Sequence, residues 1–213
     1  MRTHRVVWPV ALLVCLATGG VSAQDARVGV VSGLVDNVVS WKPALASEGW
    51  NGWSAGAFVD VATPLRGVRA VAEGAFVRRG VDVFEDVDGA AVSNSGIRSD
   101  YLRVSVLGRI GIEWRSVGLN AMAGPMVEQL LDSKMDAGLR SLLDQESPTV
   151  IGAVMGVGAT LDVGGGRSVS AEARRTETLQ SGYSGSFRSV RYGSTEYLVR
   201  IGVPLPGTAS RNQ

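Results

Sequence analysis

Tyr101-Leu-Arg-Val-Ser-Val-Leu-Gly-Arg-Ile-Gly-Ile-Glu-Trp114 alternates over its whole length. Leu102, Val104, Val106, Gly108, Ile110, Ile112 and Trp114 fall on one face of an extended chain. Tyr101, Arg103, Ser105, Leu107, Arg109, Gly111 and Glu113 fall on the other. Successive side chains of a strand point to opposite faces, so one face suits hydrocarbon and the other carries three charges. The run is longer than the about 9–11 residues that a tilted strand needs to cross a bilayer.

The same period of two recurs on both sides of it. Tyr197, Val199, Ile201, Val203 and Leu205 oppose Glu196, Leu198, Arg200 and Gly202, and Val169, Ala171 and Ala173 oppose Ser170, Glu172 and Arg174. Eight strands are expected at 26–35, 51–63, 67–80, 100–114, 116–131, 149–163, 167–179 and 193–205. The first is short and glycine-interrupted. Pro64-Leu-Arg-Gly67, Arg115-Ser116 and Gly164-Gly-Gly166 read as tight turns, whereas 36–50, 81–99, 132–148 and 180–192 read as long loops. Strict alternation of short turns and long loops is the asymmetry of a barrel with periplasmic turns and extracellular loops. The expected fold is all-β: an eight-stranded antiparallel up-and-down transmembrane β-barrel, with both ends on the short-turn side.

The N-terminus sets the expected compartment. Arg2 and Arg5 precede an apolar run, Val6 to Ala17, and Val21-Ser-Ala23 follows, with Val21 at −3 and Ala23 at −1 of a cleavage site. These are the parts of a secretory signal peptide, too short for a membrane-spanning helix. The domains expected are a signal peptide at 1–23, a barrel at 24–205 and a polar tail at 206–213. Cys15 lies inside the apolar run behind Val14, which does not suit a lipidation site.

Cleavage after Ala23 removes the sole cysteine and the sole histidine, His4. Disulfides, Ser-His-Asp and Cys-His catalysis and ordinary zinc sites then lack their residues, so no catalytic residue, cofactor or metal is expected. What remains carries 19 basic and 20 acidic groups, with only Lys42 and Lys134 as lysines. No basic tract marks a nucleic-acid partner.

Twenty-eight glycines, many inside strands, would weaken a flat sheet and suit the curvature of a narrow barrel. Trp41, Trp50, Trp53, Trp114, Tyr101, Tyr192 and Tyr197 stand toward strand ends, where an interfacial aromatic girdle would place them. In the loop at 132–148, Leu139, Leu142 and Leu143 share a helical face that Pro148 would end. The loop acids Glu85, Asp86, Asp88, Asp132, Asp136, Asp144 and Glu146 read as solvated charges. Asp86-Val-Asp88-Gly lacks the remaining ligands of a calcium loop.

One polar constellation remains. Asp60, Glu73, Arg103, Arg109, Glu113, Asp162, Glu172, Arg174 and Arg200 all occupy the charged parity of their strands. An eight-stranded interior is just wide enough for side chains to fill it, and buried charges persist when paired. These nine are therefore read as a barrel-interior charge network. A sharper alternative makes Glu73 and Glu172 an acid/base pair, with only their shared interior to recommend it.

Asp100-Tyr-Leu-Arg-Val-Ser-Val-Leu-Gly-Arg109, followed by Val117-Gly-Leu-Asn-Ala-Met-Ala-Gly-Pro125, resembles the bacterial outer-membrane β-barrel family often called PorT-like. Val157-Gly-Ala-Thr-Leu161 and Ser170-Ala-Glu-Ala-Arg174 are similar to its later strand pair. The resemblance spans roughly 28–205. It departs at Ser105, where such strands often carry proline, and at an end that lacks a terminal aromatic. It implies a fold and a place, and no single activity.

The functional expectation is a non-enzymatic outer-membrane barrel whose partners are outer-membrane lipids and a ligand or protein met by the long loops. Two alternatives stay open. One is a porin-like channel for small solutes. The other is a secreted soluble barrel carrying an apolar ligand, which needs the apolar face inside. Periodicity alone does not say which face is inside.

Overall fold

The computed structural model describes residues 26–42, 46–87, 90–136, 145–184 and 189–205. The expected signal peptide, the polar tail and the helix through Leu139, Leu142 and Leu143 lie outside them.

Eight long strands form the wall: β1 (Ala26–Lys42), β2 (Ser47–Ala62), β3 (Val68–Val87), β4 (Ala90–Trp114), β5 (Val117–Met135), β7 (Thr149–Gly164), β8 (Arg167–Thr178) and β10 (Ser189–Pro204). Two-residue strands β6 (Gln145–Glu146) and β9 (Tyr183–Ser184) add rungs beside β10. Every neighbour is antiparallel, and β1 pairs with both β2 and β10, so the sheet closes. The pairs Ala26–Val61, Val61–Ala70, Ala70–Gly108, Gly108–Ala123, Ala123–Met155, Met155–Arg175, Arg175–Thr195 and Thr195–Asp36 make one circuit of the wall. The circuit returns to β1 ten residues beyond its start. That stagger tilts the strands, and closure leaves the circuit itself without a free edge.

Backbone conformation makes the turns. Gly67 has φ +74°, and Gly164, Gly165 and Gly166 have φ +87°, +63° and +74°, a region open to glycine because it lacks Cβ. Arg115 takes the same region without that freedom, at φ +57°.

The wall is apolar outside and charged inside. Val30, Leu34, Leu102, Ile110, Ile112, Val157 and Ile201 are exposed, while Arg103, Glu172 and Arg174 are buried. A soluble carrier of an apolar ligand requires the reverse.

The long connections differ from expectation. Much of 36–50, 81–99, 132–148 and 180–192 is strand, since β1 runs to Lys42, β3 to Val87 and β5 to Met135. Their composition reads as loop because many outward residues, Asp36, Ser40, Lys42 and Asp132 among them, are polar. Several inward ones are apolar. Val81, Val83 and Ile97 pack with Trp41, Val190 and Tyr192 into an apolar plug, which repays extending the ladder. The aromatic girdle is corrected for the same reason. Trp53, Trp114 and Tyr197 are exposed on the outer face, whereas Trp41, Tyr101 and Tyr192 point inward and are buried.

Candidate functional site

Strand parity delivers acids and arginines from six strands into the lumen, where they meet in two clusters. The lower one is centred on Glu172. Its Oε1 accepts hydrogen bonds from Arg109 Nη2 at 2.5 Å and Arg200 Nη1 at 3.3 Å. Its Oε2 accepts from Arg174 Nη2 at 2.6 Å and Nε at 3.0 Å. Arg174 then forks onto Glu73, at 2.8 and 3.0 Å, in the bidentate geometry that suits guanidinium and carboxylate. Arg200 lies 3.6 Å from Glu73 Oε2 and stacks 3.8 Å above the Phe58 ring. Toward the short turns, Asp60 receives Arg109 Nη1 at 3.2 Å and Arg69 Nε at 2.6 Å.

The upper cluster is a square of two arginines and two glutamates. Arg103 donates to both oxygens of Glu196, at 2.6 and 2.9 Å, and from Nε to Glu128 at 2.8 Å. Arg79 donates to Glu128 at 2.8 Å and lies 3.9 Å from Glu196. The Thr176 and Ser194 hydroxyls bond to each other and receive Arg79 Nη2. Val31, Val71, Leu107, Met122, Met126, Val154 and Leu198 pack around Phe58 as an apolar lining beside these groups.

Five arginines and five carboxylates are buried here, so the charges cancel. Asp60, Glu73, Arg103, Arg109, Glu172, Arg174 and Arg200 stand in this assembly. Glu113 and Asp162 do not. Both share the inward parity but sit at the short-turn mouth and are exposed, with Asp162 4.0 Å from Arg27. Parity ignores depth, and these two positions lie below the layer where the other charges meet. Sequence reasoning missed Arg79, Glu128 and Glu196. The signal was present: each has the parity of an inward neighbour, Glu73, Met126 and Arg200 respectively. Glu73 and Glu172 share Arg174, and all four of their carboxylate oxygens accept guanidinium N–H groups.

Arg79, Arg103, Arg174 and Arg200 are each 2% exposed or less. A lumen wide enough for water would wet these side chains. The arrangement is a set of buried charges, each paired with its opposite.

No protein-family model and no curated protein sequence matches the chain. Solved structures do. Neisserial surface protein A is similar with a TM-score of 0.53 at 14% identity, over 87% of this chain and 99% of that one. The fold is that of a small outer-membrane β-barrel. Also similar are the outer membrane protein OprG from Pseudomonas aeruginosa and Ail, the attachment invasion locus protein of Yersinia pestis. OprG has a TM-score of 0.49 and 10% identity, over 83% and 93% of the two chains. Ail has a TM-score of 0.44 and 14% identity, over 83% and 99%.

The outer face of this barrel changes character at one level. Above Leu34, Phe76, Leu102 and Ala173 the next outward residues are Asp36, Arg78, Asp100 and Arg175. Arg78 forks onto Asp100 at 2.7 and 2.8 Å and lies 5.8 Å from the Trp53 ring. Arg98 bonds Asp82 at 2.8 Å and lies 4.9 Å from Trp50. Cations held over aromatic rings at the rim of an apolar belt suit a membrane–water boundary. Of the acids read as loop charges, Asp132 and Asp136 are exposed, and Asp136 accepts the Gly96 N–H. The side chains of Glu85, Asp86 and Glu146, and all of Asp88 and Asp144, lie outside the described residues.

Proposed function

We propose that this protein is a non-conducting, non-enzymatic barrel of the bacterial outer membrane that acts through the surface its long hairpins present outside. The observation that carries the reading is the dryness of Arg79, Arg103, Arg174 and Arg200, each paired with carboxylate inside an apolar-walled barrel. The interior charges hold the strands in register and close the lumen. The tight turns face the periplasm, and the ends of β1–β2, β3–β4, β5–β7 and β8–β10 face outward to meet a ligand or protein. Membrane lipids surround the apolar belt. The resemblance to the PorT-like family and the signal-peptide pattern support the same place, and beyond His4 and Cys15 the sequence offers no histidine or cysteine for catalysis.

The porin-like alternative requires water along the lumen. Planar-bilayer recordings of the refolded protein decide between them: the proposal expects no stepwise conductance above leak, and a sustained open level would sink it. A peptide tag inserted between Asp88 and Gly89 should be labelled on intact cells. Labelling only after the outer membrane is broken reverses the assigned orientation.

A further inference from the structure

A groove of about 1130 Å³ crosses the outer face of the wall. Val68, Ile110, Ala121, Val157, Ala173 and Tyr197 follow it as one continuous row of paired residues. The next row toward the short turns, Ile112, Leu119, Ala159, Ala171 and Val199, lines it too. Four alanines make the depression. Ala159 pairs with Ala171, and Ala121 and Ala173 flank Val157 in the row above. The row beneath is a ridge of large exposed side chains, Val117, Leu161, Val169 and Ile201. A floor of methyl groups beside branched side chains is concave. Asn120 and Glu172 also border the groove, but their side chains turn to Thr160 and to the buried arginines.

The pairing registers give the groove a direction. Neighbouring strands lie about 4.8 Å apart, so the five steps from Val68 to Tyr197 make a path about 24 Å long. Strands tilted by about 35–45° incline that path equally, so it climbs about 14–17 Å through an apolar band about 25 Å tall. Its lower end lies at the β2–β3 turn, where Gly67 and the exposed Arg66 complete the lining. Its upper end stops at Tyr197 and Val199, midway along β10. The groove is therefore apolar along its length and cationic only at the level of the short turns.

We propose that this groove holds one acyl chain of a phospholipid from the leaflet at the short turns, with Arg66 against its phosphodiester. The apolar belt is the surface that the barrel turns to lipid, so hydrocarbon fills a depression in it. A second copy of the chain fits less well. A two-fold axis sets the same patch of both copies face to face, which places groove against groove and leaves a void. Lipid tails are as apolar as leucine, so leaving one apolar neighbour for another gains nothing by itself. Retention comes from the extra van der Waals contact of a concave floor and from the guanidinium–phosphate contact at the head. Only the leaflet rests on the orientation proposed above.

The test is native mass spectrometry of the refolded protein, released from lauryldimethylamine oxide micelles that contain palmitoyl-oleoyl phosphatidylethanolamine. One lipid retained per chain is expected. Ala159→Leu/Ala171→Leu fills the floor with side chains that face hydrocarbon and touch nothing in the lumen. That variant should keep its heat-modifiable mobility on a denaturing gel and bind the lipid about tenfold more weakly or worse. Ala57→Leu, at an exposed position of β2 away from the groove, should retain lipid as wild type does. Arg66→Gln should weaken retention with the fold intact, and unchanged retention there overturns the placing of the head. No retained lipid, wild-type retention in the double leucine variant, or an equal loss in Ala57→Leu overturns the proposal. A lipid-free dimer of the wild type overturns it in favour of a second copy. Reversed labelling of the tag at Asp88–Gly89 would change the leaflet and leave these outcomes as they are.

Discussion

Replacing Arg103 with methionine removes three charge-assisted hydrogen bonds at once, at 2.6, 2.8 and 2.9 Å, from a side chain that is 2% exposed. Methionine fills much of the volume and carries no charge, so the loss is electrostatic rather than a cavity. What remains is one guanidinium, Arg79, facing two carboxylates. Glu128 keeps its 2.8 Å bond to Arg79, while Glu196 keeps only Ser194 at 3.2 Å and Arg79 at 3.9 Å. Removing one partner of a buried ion pair costs about 3–5 kcal/mol, because the other charge is left uncompensated. Arg103→Met should therefore lower unfolding free energy by about that amount. Adding Glu196→Gln removes the stranded charge and leaves the Arg79–Glu128 pair whole. The double variant should recover at least about 2 kcal/mol, appearing as coupling in a double-mutant cycle. Urea unfolding in detergent micelles, followed by tryptophan fluorescence, measures all four proteins, and gel mobility without boiling checks that each closes. A loss below about 1 kcal/mol for Arg103→Met, or additive single-mutant effects, would refute the view that the square is a closed electrostatic unit.

Depth in the membrane should govern arginine tolerance on the outer face. Val157→Arg, in the middle of the apolar belt, should cost about 2–4 kcal/mol of unfolding free energy in lipid vesicles, and Val163→Arg beside the short turn about 0–1. Equal costs would argue against hydrocarbon around this wall. Gly158 faces the charge network, and a Cβ there would lie 2.9 Å from Glu172 Cγ and 3.0 Å from the Ala171 carbonyl. Gly158→Val should displace Glu172 from its arginines and reduce the heat-modifiable fraction on refolding, whereas Val157→Ala next to it should refold as wild type.

Several elements were legible because they depend on neighbours in the chain. Period-two alternation at Tyr101–Trp114 and Glu196–Leu205 specifies strand and face from adjacent residues. Pro64–Gly67 and Gly164–Gly166 specify turns through conformations that only some residues adopt at low cost. The strand ends were less legible. Val81, Val83 and Ile97 gain from extension only because Trp41, Val190 and Tyr192 meet them across the lumen.

The sequence by itself determined the strands, the short turns and the parity that separates an apolar from a charged face. Tertiary structure alone decided that the charged face is inside and which charges meet. Glu113 and Asp162 share parity with Arg109 and Glu172 yet lie at the mouth, while Arg79, Glu128 and Glu196 close the upper square. The physical reason is that parity is local, whereas depth is the sum of eight pairing registers. Their accumulated ten-residue stagger brings residues far apart in sequence to the same level.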